Sequence, residues 1–132
     1  VRSTKFATGE LLRDKDITKL GYNIKFEQRY TMKEFGFKAR NWKWDGMIAS
    51  HVIDNRRGIT GLKFQSFVLL GQPPYNDHIE PFLKPKKMIH GANTINQINE
   101  ISLQQLLLYC GMDSLLEFLV CKKQMKMIST ST

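Results

Sequence analysis

Apolar and polar positions divide the 132 residues into short segments with changing periods. "GELLRDKDI" reads as a short helix with Leu11 and Leu12 turned inward, and "ITKLGYN" as a short strand ended by Gly21 and Asn23. "IKFEQRYTMKEFGF" spaces Ile24, Phe26, Tyr30 and Phe35 among charges, as a helix would, and Gly36 is its expected stop. "ARNWKWD" alternates large and polar residues and predicts a strand. In "DGMIASHVIDN" Asp45 is the expected N-cap of a helix that buries Met47, Ile48 and Val52. "NRRGITG" is a turn, with Thr60 as a cap for the helix "LKFQSFVLLG". "QPPYNDHIEPFLKPKK" reads as loop, short helix and a lysine- and proline-rich exit, and "GANTINQI" as an irregular crossing. One long helix, most of it buried, is expected from about Glu100 to Met127. Helices with a few strands give an α/β or α+β domain.

Composition narrows this picture. A chain of this length suits one domain, and 42% hydrophobic with 24% charged residues is globular rather than disordered. Lys and Arg outnumber Asp and Glu by 20 to 12, a net charge of +8. That excess fits a polyanionic partner, and equally a chain kept soluble by its charge. Cys110 and Cys121 both fall in the apolar C-terminal run without metal-ligand spacing, so buried free thiols in a reducing compartment are expected. His51, His78 and His90 are scattered and make no zinc pattern. The stretch Ile101 to Val120 contains Gln104, Gln105, Asp113 and Glu117, so it does not read as a membrane span. The opening "VRSTKFATGELLRDKD" is polar and has no apolar core of a secretory signal.

Two constellations carry candidate chemistry. Tyr109 and Asp113 are four apart and share one helix face with Ser102, Leu106, Leu116 and Val120. A carboxylate among leucines costs several kcal/mol unless something compensates it. Asp113 could cap a neighbouring loop, pair with a lysine or hold a metal, and Tyr109 could simply be packing. In "GYNIKFEQRY", Asn23 stands where a strand turns into a helix and Glu27 lies one helical turn inside. An N-cap amide and a first-turn charge favouring the helix dipole explain this pair in structural terms.

Together, N-x-x-F-E at a strand–helix junction and Y-x-x-x-D in a later long helix resemble the second and third exonuclease motifs of a known family. They are similar to the 3′–5′ proofreading domain of family A DNA polymerases, the DEDD superfamily with a tyrosine in its third motif. The intervening "WKWDGMIASHVIDNRRGITGLKFQSFVLLG", then "IEPFLK" and "LLLYCGMDSLLEF", follow in the order seen in phage-type polymerases. The resemblance covers about Leu20 to Lys126. It rests on order, spacing and intervening text, since each motif by itself is short.

The resemblance implies an RNase H-like α/β fold and two-metal hydrolysis of the 3′-terminal phosphodiester, with Mg²⁺ or Mn²⁺ held by hard oxygen ligands. It implies Asp113 and Glu27 as metal ligands, Glu27 standing where the family more generally has aspartate, and Tyr109 as hydrogen-bond partner of the attacking water. Asn23 and Phe26 would border the 3′-terminal nucleotide of single-stranded DNA, and Tyr75 is a candidate base-stacking residue. Asp45 reads as a structural cap. A bacterial or phage-infected cytoplasm, no membrane, and a polymerase domain following in the parent protein complete these expectations. The first motif, D-x-E on an apolar strand, does not occur in these residues; Asp14 and Asp16 sit in a polar, helix-like stretch. With Val1 rather than methionine at its start, the chain is expected to be a truncated piece lacking the first strands of the sheet, and inactive alone. The alternative is a non-catalytic DNA-binding module using Arg29, Arg40, Arg56, Arg57, Lys84, Lys86 and Lys87 on phosphates, although a solvated charged face is their default role. Loss of the first strands should also leave a sheet edge and apolar surface exposed.

Overall fold

The computed structural model describes residues 2–84 and 96–130. Its elements are α1 (Arg2–Arg13), β1 (Lys19–Gly21), α2 (Ile24–Phe35), β2 (Trp42–Asp45), α3 (Gly46–Ile53), α4 (Leu62–Leu70), α5 (Glu80–Leu83), a 3₁₀ turn (Ile98–Glu100) and α6 (Leu103–Ser129). The chain is mixed α/β, rich in helix around a small parallel sheet. The exit 85–90, with Lys86 and Lys87, and residues 91–95 of the predicted crossing lie outside the described residues.

β1 and β2 pair in parallel and are joined through α2, the crossover that parallel strands require. Lys19 pairs with Trp42 and Leu20 with Trp44, so Lys43 is looped out as an irregularity between them. Gly36 ends α2 in the left-handed conformation, at φ 76°, and donates its N–H to the Met32 carbonyl, as the sequence led one to expect.

One carboxylate organises the next junction. Asp45 caps α3 by accepting from the N–H groups of Met47 (3.0 Å) and Ile48 (3.3 Å). The same side chain accepts from Asn23 N (3.0 Å) and Ile24 N (2.8 Å), so it also caps α2. Asn23 itself sits at φ 71°, ψ 57° and makes no side-chain cap bond. Asparagine tolerates that left-handed geometry better than most residues, and the conformation turns its backbone N–H towards Asp45.

α6 packs against α4, α3 and β1. The buried hydrophobic residues are Ala39, Ala49, Ile79, Leu116, Val120 and Cys121, joined by a polar knot around Gln124. Gln124 accepts from the Trp44 indole (3.1 Å) and donates to Gly46 O (3.0 Å) and Ser50 Oγ (2.9 Å). Tyr22 donates to Thr60 O at 2.6 Å and lies 3.0 Å from Ser50 Oγ. A Cβ on Gly46 would stand 2.5 Å from the Tyr22 ring and 2.9 Å from Cys121 Sγ, so only glycine lets α3, Tyr22 and α6 approach this closely.

Several burial expectations are corrected. α1 starts earlier than predicted and turns Leu11 outward, 50% exposed, because Leu12 and Gly9 face the protein. Ile48 and Val52 are exposed at 60% and 69%, whereas Gly46, Ala49 and Ser50 face α6: close approach selects small residues there. Gly61 stands at the N-cap of α4 without a side-chain bond; Thr60 contributes its carbonyl to Tyr22. Ser102 caps α6 by accepting from Gln105 N, so it belongs to the helix start rather than to the Tyr109 face. Most of α6 is not buried: Leu103, Leu107, Leu108, Leu115 and Phe118 are all more than half exposed. Cys110 is exposed and Cys121 buried, both free.

The exposed leucines leave apolar surface open along α6. Among the described residues, no helix is long and apolar enough to cross a membrane.

Candidate functional site

The candidate site follows one stripe of α6. Tyr109, Asp113, Glu117 and Cys121 succeed each other at intervals of four, so they stack along a single face. The stripe runs from open to closed: Tyr109, Asp113 and Glu117 are half-buried, and Cys121 is buried beside Gly46.

At the open end the stripe meets the α4–α5 segment. The Tyr75 hydroxyl donates to Asp113 Oδ1. Lys63, in the first turn of α4, donates to the Tyr109 hydroxyl at 2.9 Å. Its ammonium lies 5.0 Å from the Tyr109 ring centroid and 5.9 Å from that of Tyr75. The two rings are 6.2 Å apart and tilted. Each ring is therefore attracted to one shared cation, which fixes both hydroxyls at the mouth of the site. Of the compensations open to Asp113 in the sequence, the structure selects the hydroxyl of a neighbouring loop; the lysine goes to Tyr109 instead. Burial raises the Tyr75 pKa first, and its bond to Asp113 adds to this, so the phenol keeps its proton and acts as a donor.

Glu117 links this end to α2. Burial, followed by the charges of Glu27, Asp113 and Asp45, pushes its carboxyl up to about 7. Burial also raises the Glu27 pKa. Carboxylates from β2, α2 and α6 thus share one region of negative potential, and a proton on Glu117 relieves it near neutral pH. A half-buried carboxyl titrating there can give or take a proton in general acid–base chemistry.

The sequence-predicted residues therefore divide. Tyr109, Asp113 and Tyr75 meet directly, and Glu27 joins them electrostatically through Glu117. Asn23 and Phe26 make no hydrogen bond or ring contact with that group. Asn23 is tied by its backbone to Asp45, and Phe26, 60% exposed, stacks with Tyr30 at 6.5 Å. Among the candidate phosphate contacts, Arg56 is forked onto Asp54 with bonds of 2.6–3.0 Å, and Lys84 pairs with Glu80 at 3.0 Å. Arg29, Arg40 and Arg57 remain exposed.

Two participants were not singled out from sequence. Glu117 could have been, because it extends the Tyr109–Asp113 spacing by one more turn. Lys63 could not, since 46 residues separate it from Tyr109 and only the α4–α6 packing joins them.

The carboxylates of Glu27, Asp113 and Glu117 are hard oxygen donors of the kind Mg²⁺ or Mn²⁺ accepts. They do not compose a complete site: among the described residues, no three His, Cys, Asp or Glu side chains are grouped so as to hold a metal ion. The described donor set does not fit a two-ion centre without further ligands.

Comparison with protein-family models, with curated proteins and with solved structures gave no match, so the functional reading stands on this geometry and on the motifs.

Proposed function

We propose that this chain is part of an RNase H-like, metal-dependent 3′–5′ DNA exonuclease of the proofreading kind, and that alone it binds DNA without cutting it. The observation that supports this reading is the convergence of Tyr109, Asp113 and Tyr75 at one mouth. Glu27, Tyr75, Tyr109 and Asp113 lie up to 86 positions apart in sequence and are among the residues the motif resemblance selects.

In this reading the Tyr109 hydroxyl, held by Lys63, would hydrogen-bond the attacking water, and Tyr75 offers a ring on which a base can stack. Two ions would supply the nucleophile and charge stabilisation in the complete domain, with Asp113 and Glu27 among their ligands and the D-x-E carboxylates supplied from outside these residues. The experiment is digestion of 3′-labelled single-stranded DNA with Mg²⁺ or Mn²⁺. No shortening is expected for the unsubstituted chain or for Asp113→Ala. Robust digestion abolished in Asp113→Ala would show a full metal site and overturn the incomplete one.

A second reading, a basic DNA-binding module without chemistry, is favoured by the net +8 charge and the exposed Arg29, Arg40 and Arg57. Both readings require binding that weakens steeply with salt. They separate on a circular single strand, which has no 3′ end. The exonuclease reading expects linear DNA to bind better, and the preference to fall in Tyr109→Phe. A module that reads only phosphates binds both equally. Binding indifferent to salt would count against both.

A further inference from the structure

A second concavity lies away from the Tyr109–Asp113 mouth, between α2 and α3, with a volume of about 700 Å³. Its floor is aliphatic: Ile24 and Met32 from α2 and Ile48 from α3. Ile48 is 60% exposed and Met32 42%. Val52, one turn beyond Ile48 and 69% exposed, continues the apolar stripe along α3. The rim is cationic: Lys25, Arg29 and Lys38 line it, and among the described residues none of the three enters an ion pair. Asp45 is the one acid among the described lining residues, and its oxygens are occupied by the four backbone N–H groups of the two helix starts.

The walls are fixed before anything binds. Asp45 ties the N-termini of α2 and α3 together. Gln28 clamps the far side: its amide donates to Ala39 O (3.0 Å) and its carbonyl accepts from Ala39 N (3.0 Å) and the Trp42 indole (3.3 Å). A preformed groove of this kind loses little conformational entropy on binding.

From this geometry we infer that the groove docks an acidic amphipathic helix of a partner protein. The aliphatic floor takes the partner's leucine or phenylalanine side chains at helical spacing, and flanking carboxylates meet Lys25, Arg29 and Lys38. Helix-in-groove recognition needs this combination of apolar anchors and charge complementarity, and Met32 adapts its shape to the anchor. The groove is a poor nucleic-acid site, because bases seek flat aromatic faces. The exposed aromatics of α2, Phe26 and Tyr30, lie on the opposite side of the helix from Ile24 and Met32 at about 100° per residue. A second copy of this chain is disfavoured by the repulsion of two +8 chains. The inference does not depend on the exonuclease reading.

The test is fluorescence anisotropy with a labelled 14-residue peptide carrying Leu and Phe at i, i+3, i+4 and i+7 and glutamates on the flanks. Three controls accompany it: a scrambled peptide of equal composition, a lysine-flanked counterpart, and a 14-nucleotide oligothymidine. The patterned acidic peptide should bind at least tenfold more tightly than either peptide control. Ile48→Glu and the pair Lys25→Glu with Arg29→Glu should each weaken it at least tenfold. These positions are exposed, and circular dichroism checks that the variants stay folded. The inference is overturned if the patterned peptide does not bind, if the scrambled peptide binds as well, or if the substitutions leave binding unchanged. It is also overturned if the oligothymidine is the ligand those substitutions remove, which would make the groove a nucleic-acid surface.

Discussion

The two halves of α6 have nearly the same apolar character and opposite fates. In the C-terminal half, Leu116, Val120, Cys121 and Gln124 are buried against β1, β2 and α3, and every polar atom of Gln124 has a partner. In the N-terminal half, Leu103, Leu107 and Leu108 are 62–70% exposed, and the ordered contacts are the Lys63, Tyr75, Tyr109 and Asp113 interactions. Leucine content does not decide burial; the neighbour opposite does. The closed half has a sheet and two helix starts opposite it. Among the described residues the open half has α4 and the loop carrying Tyr75 opposite it, and chemistry-bearing groups remain accessible there. A glutamate whose carboxyl is pushed up to about 7 marks the border between the two.

The largest disturbance should come from the closed half. Asp45→Ala strips the acceptor from four N–H groups and uncaps two helices, which should cost about 3 kcal/mol in urea unfolding. A loss below about 1 kcal/mol would mean that the two helix starts do not depend on this carboxylate. Gln124→Leu keeps the volume but orphans the Trp44 indole N–H and takes one of two donors from the Gly46 carbonyl, which keeps the Ser50 hydroxyl. It should cost about 2 kcal/mol, with the Trp44 fluorescence altered. Similar losses from Tyr75→Phe would erase the distinction between the halves.

The border residue gives a pH-dependent effect. Below the ordinary value of 4.5, Glu117 is neutral whether the chain is folded or not. Between 4.5 and about 7 the unfolded chain releases this proton while the folded chain keeps it, so folding stability falls as pH rises. The deficit is complete above pH 7. Glu117→Gln should therefore leave stability unchanged near pH 4 and raise it by about 1–2 kcal/mol at pH 8, after allowance for solvent screening of a half-exposed group. Unfolding curves at the two pH values check this, and an equal effect at both would show that the carboxyl is not perturbed.

The smallest effect should lie in the open half. Leu107→Ser combined with Leu108→Ser should change monomer stability by less than about 0.5 kcal/mol. If these leucines are covered by another copy in solution, the same double variant will lower the mass seen in light scattering.

Local rules made much of this legible. The β1–α2–β2 order, the stop at Gly36 and the cap at Asp45 follow from residue chemistry within a few positions, and the structure has them where the pattern places them. Tyr109 and Asp113 share a face because helix geometry leaves no choice. Burial was less legible. Ile48 and Val52 read as core, yet close packing at Gly46 rotates α3 so that its small residues face inward.

The sequence by itself determined the elements, their punctuation and the one-turn spacing of the candidate site, because these depend on backbone geometry and on groups a few residues apart. It also determined the basic charge and the absence of a D-x-E within these residues. Only the tertiary structure decided that Asp113 takes a hydroxyl from Tyr75, that Lys63 holds Tyr109, and that Glu117 joins Glu27 to the stripe. The two hydrogen bonds join residues 38 and 46 positions apart, and the charge of Glu27 acts on Glu117 across 90. Their energies depend on which surfaces pack together and how much water they exclude, and no local pattern encodes either.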